Sequence, residues 1–164
     1  MSSAFQFINV PTGVWIDEQG KVVRPGEPAW TTSRTSTFGG KQLVTEGEEY
    51  VAAIRDWVAH GERSAYALSD DAFAARVKRR SDSEMEADAS FALAVHFFQA
   101  NNLTSAKRYF ARAQALNPGD WNYYRQDWSF TPGEAGPKWL EKFQKLEEPY
   151  YPKLDIKKKD KPKG

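Results

Sequence analysis

The chain has 164 residues, 40% of them hydrophobic and 14% aromatic, enough for one compact domain or two small lobes sharing a core. It contains no cysteine, which excludes disulfides, thiol nucleophiles and cysteine-ligated metals, and its apolar runs are too short for a membrane span. Of 23 Lys and Arg and 22 Asp and Glu, residues 157–164 hold five lysines and one aspartate, so the net charge of +1 splits into a basic end and a mildly acidic body of 18 basic against 21 acidic groups.

The start, Met1-Ser2-Ser3-Ala4-Phe5-Gln6-Phe7, lacks the basic residues and apolar stretch of a secretory signal, so a cytoplasmic location is expected. Val14, Ile16 and Val22 lie among β-branched and aromatic neighbours on either side of Asp17-Glu18-Gln19-Gly20-Lys21, where Gly20 can take positive φ; this predicts a β-hairpin. Pro11 before it is compatible with an ordinary turn or with a cis bond. The run Val10-Pro11-Thr12, then Trp15-Ile16-Asp17, resembles the back half of a thioredoxin-like domain, and that resemblance implies a cis Val10-Pro11 bond. In that family an active-site Cys-x-x-Cys lies upstream on a strand–helix unit. With ten residues before Pro11 and no cysteine, the front strands and the redox pair are expected to be absent.

Arg24-Pro25-Gly26-Glu27-Pro28 reads as a break in regular structure and Thr31 to Gly40 as a polar loop. Tyr50, Val51, Ile54, Trp57 and Val58 recur at helical spacing behind Glu48-Glu49, and His60-Gly61 closes the segment, which predicts a helix over 47–60 covering one face of the hairpin. His60 fits a C-terminal helix residue better than a ligand. A second helix is expected over 69–79, with Ser69 or Asp70 as N-cap, Ala72, Phe73 and Val77 inward, and Arg76, Lys78, Arg79 and Arg80 as a basic end. Ser83-Glu84-Met85-Glu86 reads as a capping box opening a third.

Residues 87–120 carry the strongest local motif. Leu93, Ala94 and Phe97, then Ala106, Phe110 and Ala113, then Pro118, fit the helix-turn-helix period of about 34 residues of a tetratricopeptide unit, although Ser90 stands where a large aromatic is common. The alanines let two antiparallel helices approach while the phenylalanines fill the seam, and Asn101-Asn102-Leu103-Thr104 forms the turn, with Thr104 as cap. In the groove register of such repeats Asp88, Phe91, Val95, Phe98 and Gln99 face the concave side. Three of the five are apolar, which favours contact with the chain's own helices over peptide binding. His96, between these stripes, is expected to be packed or hydrogen-bonded. The aromatic segment Trp121 to Phe130 follows as a cap, residues 132–137 form a loop, and Trp139, Leu140, Phe143 and Leu146 line a last helix before Pro149.

The whole order, including Asp120-Trp121 and Pro149-Tyr150-Tyr151, resembles a bacterial group in which a thioredoxin-like or peroxiredoxin-like domain precedes a tetratricopeptide-like region. The expected fold class is α+β, mainly α: a truncated thioredoxin-like hairpin and helix over 1–62, a tetratricopeptide-like helical lobe over 63–152, and a basic flexible tail over 153–164. Two separated histidines, scattered serines and no glycine-rich phosphate loop supply no nucleophile–base pair and no nucleotide signature. No catalytic, cofactor-binding or metal residue is assigned. The expected function is a noncatalytic interaction or assembly subunit, docking on another protein or on itself as a homo-oligomer. Its candidate contact residues are Val10, Pro11, Thr12, Val14 and Val22, together with Asp88, Phe91, Val95, Phe98 and Gln99. The alternative is a thioredoxin-like redox component whose cysteine-bearing half is on another chain. Nucleic-acid or membrane-surface binding through the lysine tail is disfavoured, because a short lysine run at a terminus is most often a solvated end.

Overall fold

The computed structural model describes residues 5–156, and residues 157–164 of the expected tail lie outside them. The fold is α+β and mainly α: two antiparallel hairpins precede six helices. Two compact units divide the chain. Residues 5–78 and 147–156 form the first and residues 79–146 the second, so the boundary falls at 78/79 rather than at 62/63, and the last described residues return to the first unit.

In the first unit, β1 (Thr12–Ile16) pairs with β2 (Val22–Pro28), following a cis Val10-Pro11 bond. Asp17 makes the turn, its Oδ1 accepting from the Gln19 and Lys21 amides at 3.0 and 2.8 Å, and Gly20 has φ of 80°. The expected break at 24–28 is instead strand. Gly13 pairs with Glu27 while Trp15 pairs with Arg24, so β2 carries an extra residue there, a bulge that accommodates Pro25 on a strand with only one neighbour. The expected polar loop is also corrected: β3 (Arg34–Phe38) and β4 (Lys41–Thr45) form a second hairpin, closed by Gly39 and Gly40 at φ of 54° and 78°, the two left-handed positions of a tight hairpin turn.

Helix α1 (Gly47–His60) starts without a side-chain cap of its own. The hydroxyl of Ser33 replaces it, accepting from the Gly47 and Glu48 amides at 2.9 and 3.3 Å. A Cβ at Gly47 would lie 2.1 Å from the Thr32 nitrogen, so this approach requires glycine. Tyr50 and Ala53 bury against Trp15, with Val23, Ile54, Trp57, Tyr66, Leu154 and Ile156 around them. Val58, placed on the same stripe by spacing, is 76% exposed. Leu154 and Ile156 thus belong to the core, which corrects the expectation of a flexible tail from residue 153. After a 3₁₀ turn, α2 (Asp70–Arg76) is capped by Ser69, whose hydroxyl accepts from the Ala72 amide at 3.2 Å, and ends three residues earlier than expected.

The second unit opens with α3 (Asp82–Gln99). Its capping box is Ser81 with Glu84, two residues ahead of the expected Ser83 and Glu86; the Ser83 hydroxyl donates instead to the Leu116 carbonyl at 2.9 Å. Helix α4 (Leu103–Leu116) runs back along α3, capped by Asn102 rather than Thr104, with Asn101 at φ of 57°. Ala87, Ala94, Ala106 and Ala113 are buried along the seam with Phe110, whereas Leu93 is 41% exposed and faces away from it. Helix α5 (Trp121–Ser129) buries Trp121, Tyr123 and Trp128. Helix α6 (Ala135–Gln144) starts inside the expected loop, because Pro137 sits in its first turn, where no amide donor is required, and it buries Phe143.

Asp120 caps α5, its Oδ1 accepting from the Asn122 amide at 2.9 Å. Its burial holds the carboxyl above the ordinary carboxylate range against that bond, and the nearby Asp88 carboxylate pushes the same way. The folded state therefore holds the Asp120 proton to higher pH than the unfolded chain does. This contribution to stability is complete below the unfolded pKa and is lost as pH rises through the folded one. Asp120→Asn keeps the capping oxygen and removes the charge. Thermal melts should show the variant gaining on the parent as pH rises from 4 to 7; a constant difference would show that Asp120 does not titrate in this way.

Candidate functional site

The first unit contains a cleft of about 440 Å³. Its walls are the segment from Phe5 to Thr12, the hairpin residues Val14, Val22 and Pro25–Pro28, the end of α2 with Phe73, Arg76, Val77 and Lys78, and Tyr151-Pro152. The lining is mainly apolar with a few polar groups, the composition of a ligand or side-chain pocket.

Three long-range bonds and one local bond hold these walls together. The Asn9 amide donates to the Tyr150 carbonyl at 3.1 Å, and the Tyr151 hydroxyl to the Val10 carbonyl at 2.9 Å. Thr12 Oγ1 donates to the Asn9 carbonyl at 2.8 Å, and Gln6 Nε2 to the Lys78 carbonyl at 3.0 Å. Beneath them lies Arg24, which is 1% exposed. Its Nε donates to Glu27 Oε1 at 2.7 Å, its Nη1 to the Tyr66 carbonyl at 2.9 Å and its Nη2 to the Asp155 carbonyl at 2.8 Å, and its guanidinium lies 5.2 Å from the Trp15 ring centroid. Glu27 lines the cleft and is itself buried; burial raises its carboxyl above the usual range, the bond and charge of Arg24 opposing the shift.

The candidate contact residues fall into two groups. Pro11, Thr12, Val14 and Val22 all line the cleft, and Val10 beside them is 58% exposed. In the second unit, Asp88 pairs with Arg80 and accepts from the Tyr123 hydroxyl. Phe91 packs on Phe110 and Tyr123 at ring distances of 5.9 and 5.0 Å, Val95 joins the cluster around Ala94, and Phe98 stacks on Phe130. Only Gln99 of that group is exposed. The proposed concave face is therefore filled by α4, α5 and the residue that ends α5. His96 is exposed beside Phe97 rather than packed, and His60 lies against Asp56 at the end of α1.

Sequence reasoning missed Phe5, Phe7, Lys78 and Tyr151 as parts of one site. The alternation Phe5-Gln6-Phe7-Ile8 was its local signal; the closure by 73–78 and 151–152 has none. Among the described residues no three His, Asp or Glu side chains group as a metal site, and no helix is long and apolar enough to cross a membrane. Comparison with family models, with curated proteins and with solved structures returns no match.

Removing Arg24 leaves Glu27 buried beside an apolar cleft without its cation. Arg24→Met should destabilise the first unit by about 3–5 kcal/mol, the cost typical of breaking a buried pair by removing one partner. Arg24→Met with Glu27→Gln should recover part of that loss. Urea unfolding followed by near-ultraviolet circular dichroism measures both, and equal loss in the single and double variants would show that the ion pair is not the term at stake.

Proposed function

We propose that this chain is a protein-interaction or assembly subunit that docks through its first hairpin on a partner protein or a second copy of itself. The observation that supports the reading is the coincidence of an open strand edge with a pocket. Neither β1 nor β2 has a second strand neighbour among the described residues, and Val14 and Val22 of that hairpin line the cleft. An added strand takes main-chain hydrogen bonds from such an edge and specificity from pockets for its side chains. In this reading the hairpin and α1 are the thioredoxin-like portion. The α3–α4 pair is the tetratricopeptide-like portion and serves as a folded support, since four of its five concave candidates are occupied by its own packing.

Sedimentation of the full chain tests the proposal, with co-purified partners retained. Val14→Pro removes a strand donor, and Ile16→Lys places a charge on an exposed strand residue; each should weaken assembly roughly tenfold or more, while deletion of 157–164 should leave it intact. Circular dichroism must show helix content unchanged. Folded hairpin variants that assemble normally, with assembly lost on tail deletion, would reject the edge. An insulin-reduction assay separates the alternative: turnover that appears only with a cysteine-bearing partner would favour a partner-completed redox component.

A further inference from the structure

The charges around the cleft do not balance. Glu27 is matched by Arg24 at 2.7 Å, and Arg76 by the Asp155 carboxylate at 2.8 Å. Lys78 also lines the cleft and forms no ion pair among the described residues. The lining of a mainly apolar cleft thus includes one exposed lysine without an ion pair among the described residues. The segment over it is held in place at a local cost, since Gln6 is one of two described non-glycine residues with positive φ, at 55°, and its side chain ties it to the Lys78 carbonyl.

We propose that the cleft binds a small apolar carboxylic acid, its hydrocarbon body against Phe5, Phe7, Val22 and Phe73 and its carboxylate on Lys78. The cavity of about 440 Å³ lies within the range of small-molecule sites, roughly 300–1,000 Å³, and the apolar lining with few polar groups is their usual composition. A single ammonium group suits a monoanion, whereas a phosphate is more often gripped by arginine forks, and the arginine lining the cleft, Arg76, is engaged by Asp155. The ligand needs no partner in order to bind, although it fills the same cleft that the docking reading gives to a partner's side chains.

The test uses the full chain with decanoate, decanol and decyl phosphate, each below its aggregation concentration, followed by calorimetry and amide chemical shifts. Decanoate should bind with a Kd on the order of 0.1–1 mM, as its atom count allows, and move amides in 5–28, 73–78 and 151–152. Decanol should bind at least fivefold more weakly. Lys78→Gln, a change at an exposed site, should weaken decanoate about fivefold and leave decanol unchanged. Phe73→Ala, checked for folding by circular dichroism, should weaken both, and Ile16→Lys should leave decanoate binding intact even where assembly is lost. Equal binding of decanol, tighter binding of decyl phosphate, an unaltered Lys78→Gln, or shifts confined to other residues would overturn the proposal.

Discussion

The first unit depends on the placement of one buried cation. In a regular strand, residues three apart point to opposite faces, so Arg24 and Glu27 could not meet. The bulge at Pro25-Gly26 adds one residue to β2 and restores the same face, which brings the two side chains to 2.7 Å and sets Arg24 opposite Trp15. A buried guanidinium tolerates few unmet donors, and here each nitrogen finds an acceptor: Glu27, the Tyr66 carbonyl and the Asp155 carbonyl. One side chain thereby ties β2 to the segment after α1 and to the returning C-terminal residues. The proline-rich run that looks like a break in the sequence is the feature that makes this clasp possible.

The second unit rests on a different economy. Alanine at 87, 94, 106 and 113 lets α3 and α4 approach along their length, and Phe110 fills the space the small side chains leave. Aromatic residues of α5 then cover the pair, Tyr123 on Phe91 and Phe130 on Phe98. The polar groups that must enter this interior arrive in matched sets, Arg80 and Tyr123 on Asp88, Gln114 on Asp127. The face of this helical pair that carries Phe91, Val95 and Phe98 is thus taken up by the unit's own packing.

What the sequence makes legible follows from the range over which each feature is encoded. The first hairpin, α1 and the α3–α4 pair carry their periods and turn residues locally, and they form as their spacing predicts. The first strand of the second hairpin is polar on both faces, Thr35, Ser36 and Thr37 all exposed, and its partner carries Leu43 and Val44 side by side, so no alternation announces it; the Gly39-Gly40 pair was its turn signal. At the start of α3 the chain contains two overlapping Ser-x-x-Glu matches, and local pattern cannot choose between them. The choice is made by Leu116, whose carbonyl takes the Ser83 hydroxyl and leaves Ser81 to cap. The cleft is the extreme case, since Val10, Pro11, Thr12, Val14 and Val22 carry only its near walls, and the others come from far along the chain.

That distance has a physical consequence for the site. The Tyr151 bond to Val10, the Asn9 bond to Tyr150 and the Arg24 bond to Asp155 span 141, 141 and 131 residues. Closing such loops costs conformational entropy that only the finished set of contacts returns. The second unit, continuous from 79 to 146, closes over shorter loops, such as those from Ser83 to Leu116 and from Asp88 to Tyr123, and bears less of this cost. A two-stranded hairpin is marginal by itself, and here its cover includes Leu154 and Ile156 from the same segment that supplies Tyr151 and Pro152 to the cleft. The stability of the hairpin and the shape of the cleft therefore draw on one segment, since residues 150–156 supply both a part of the core and a part of the wall.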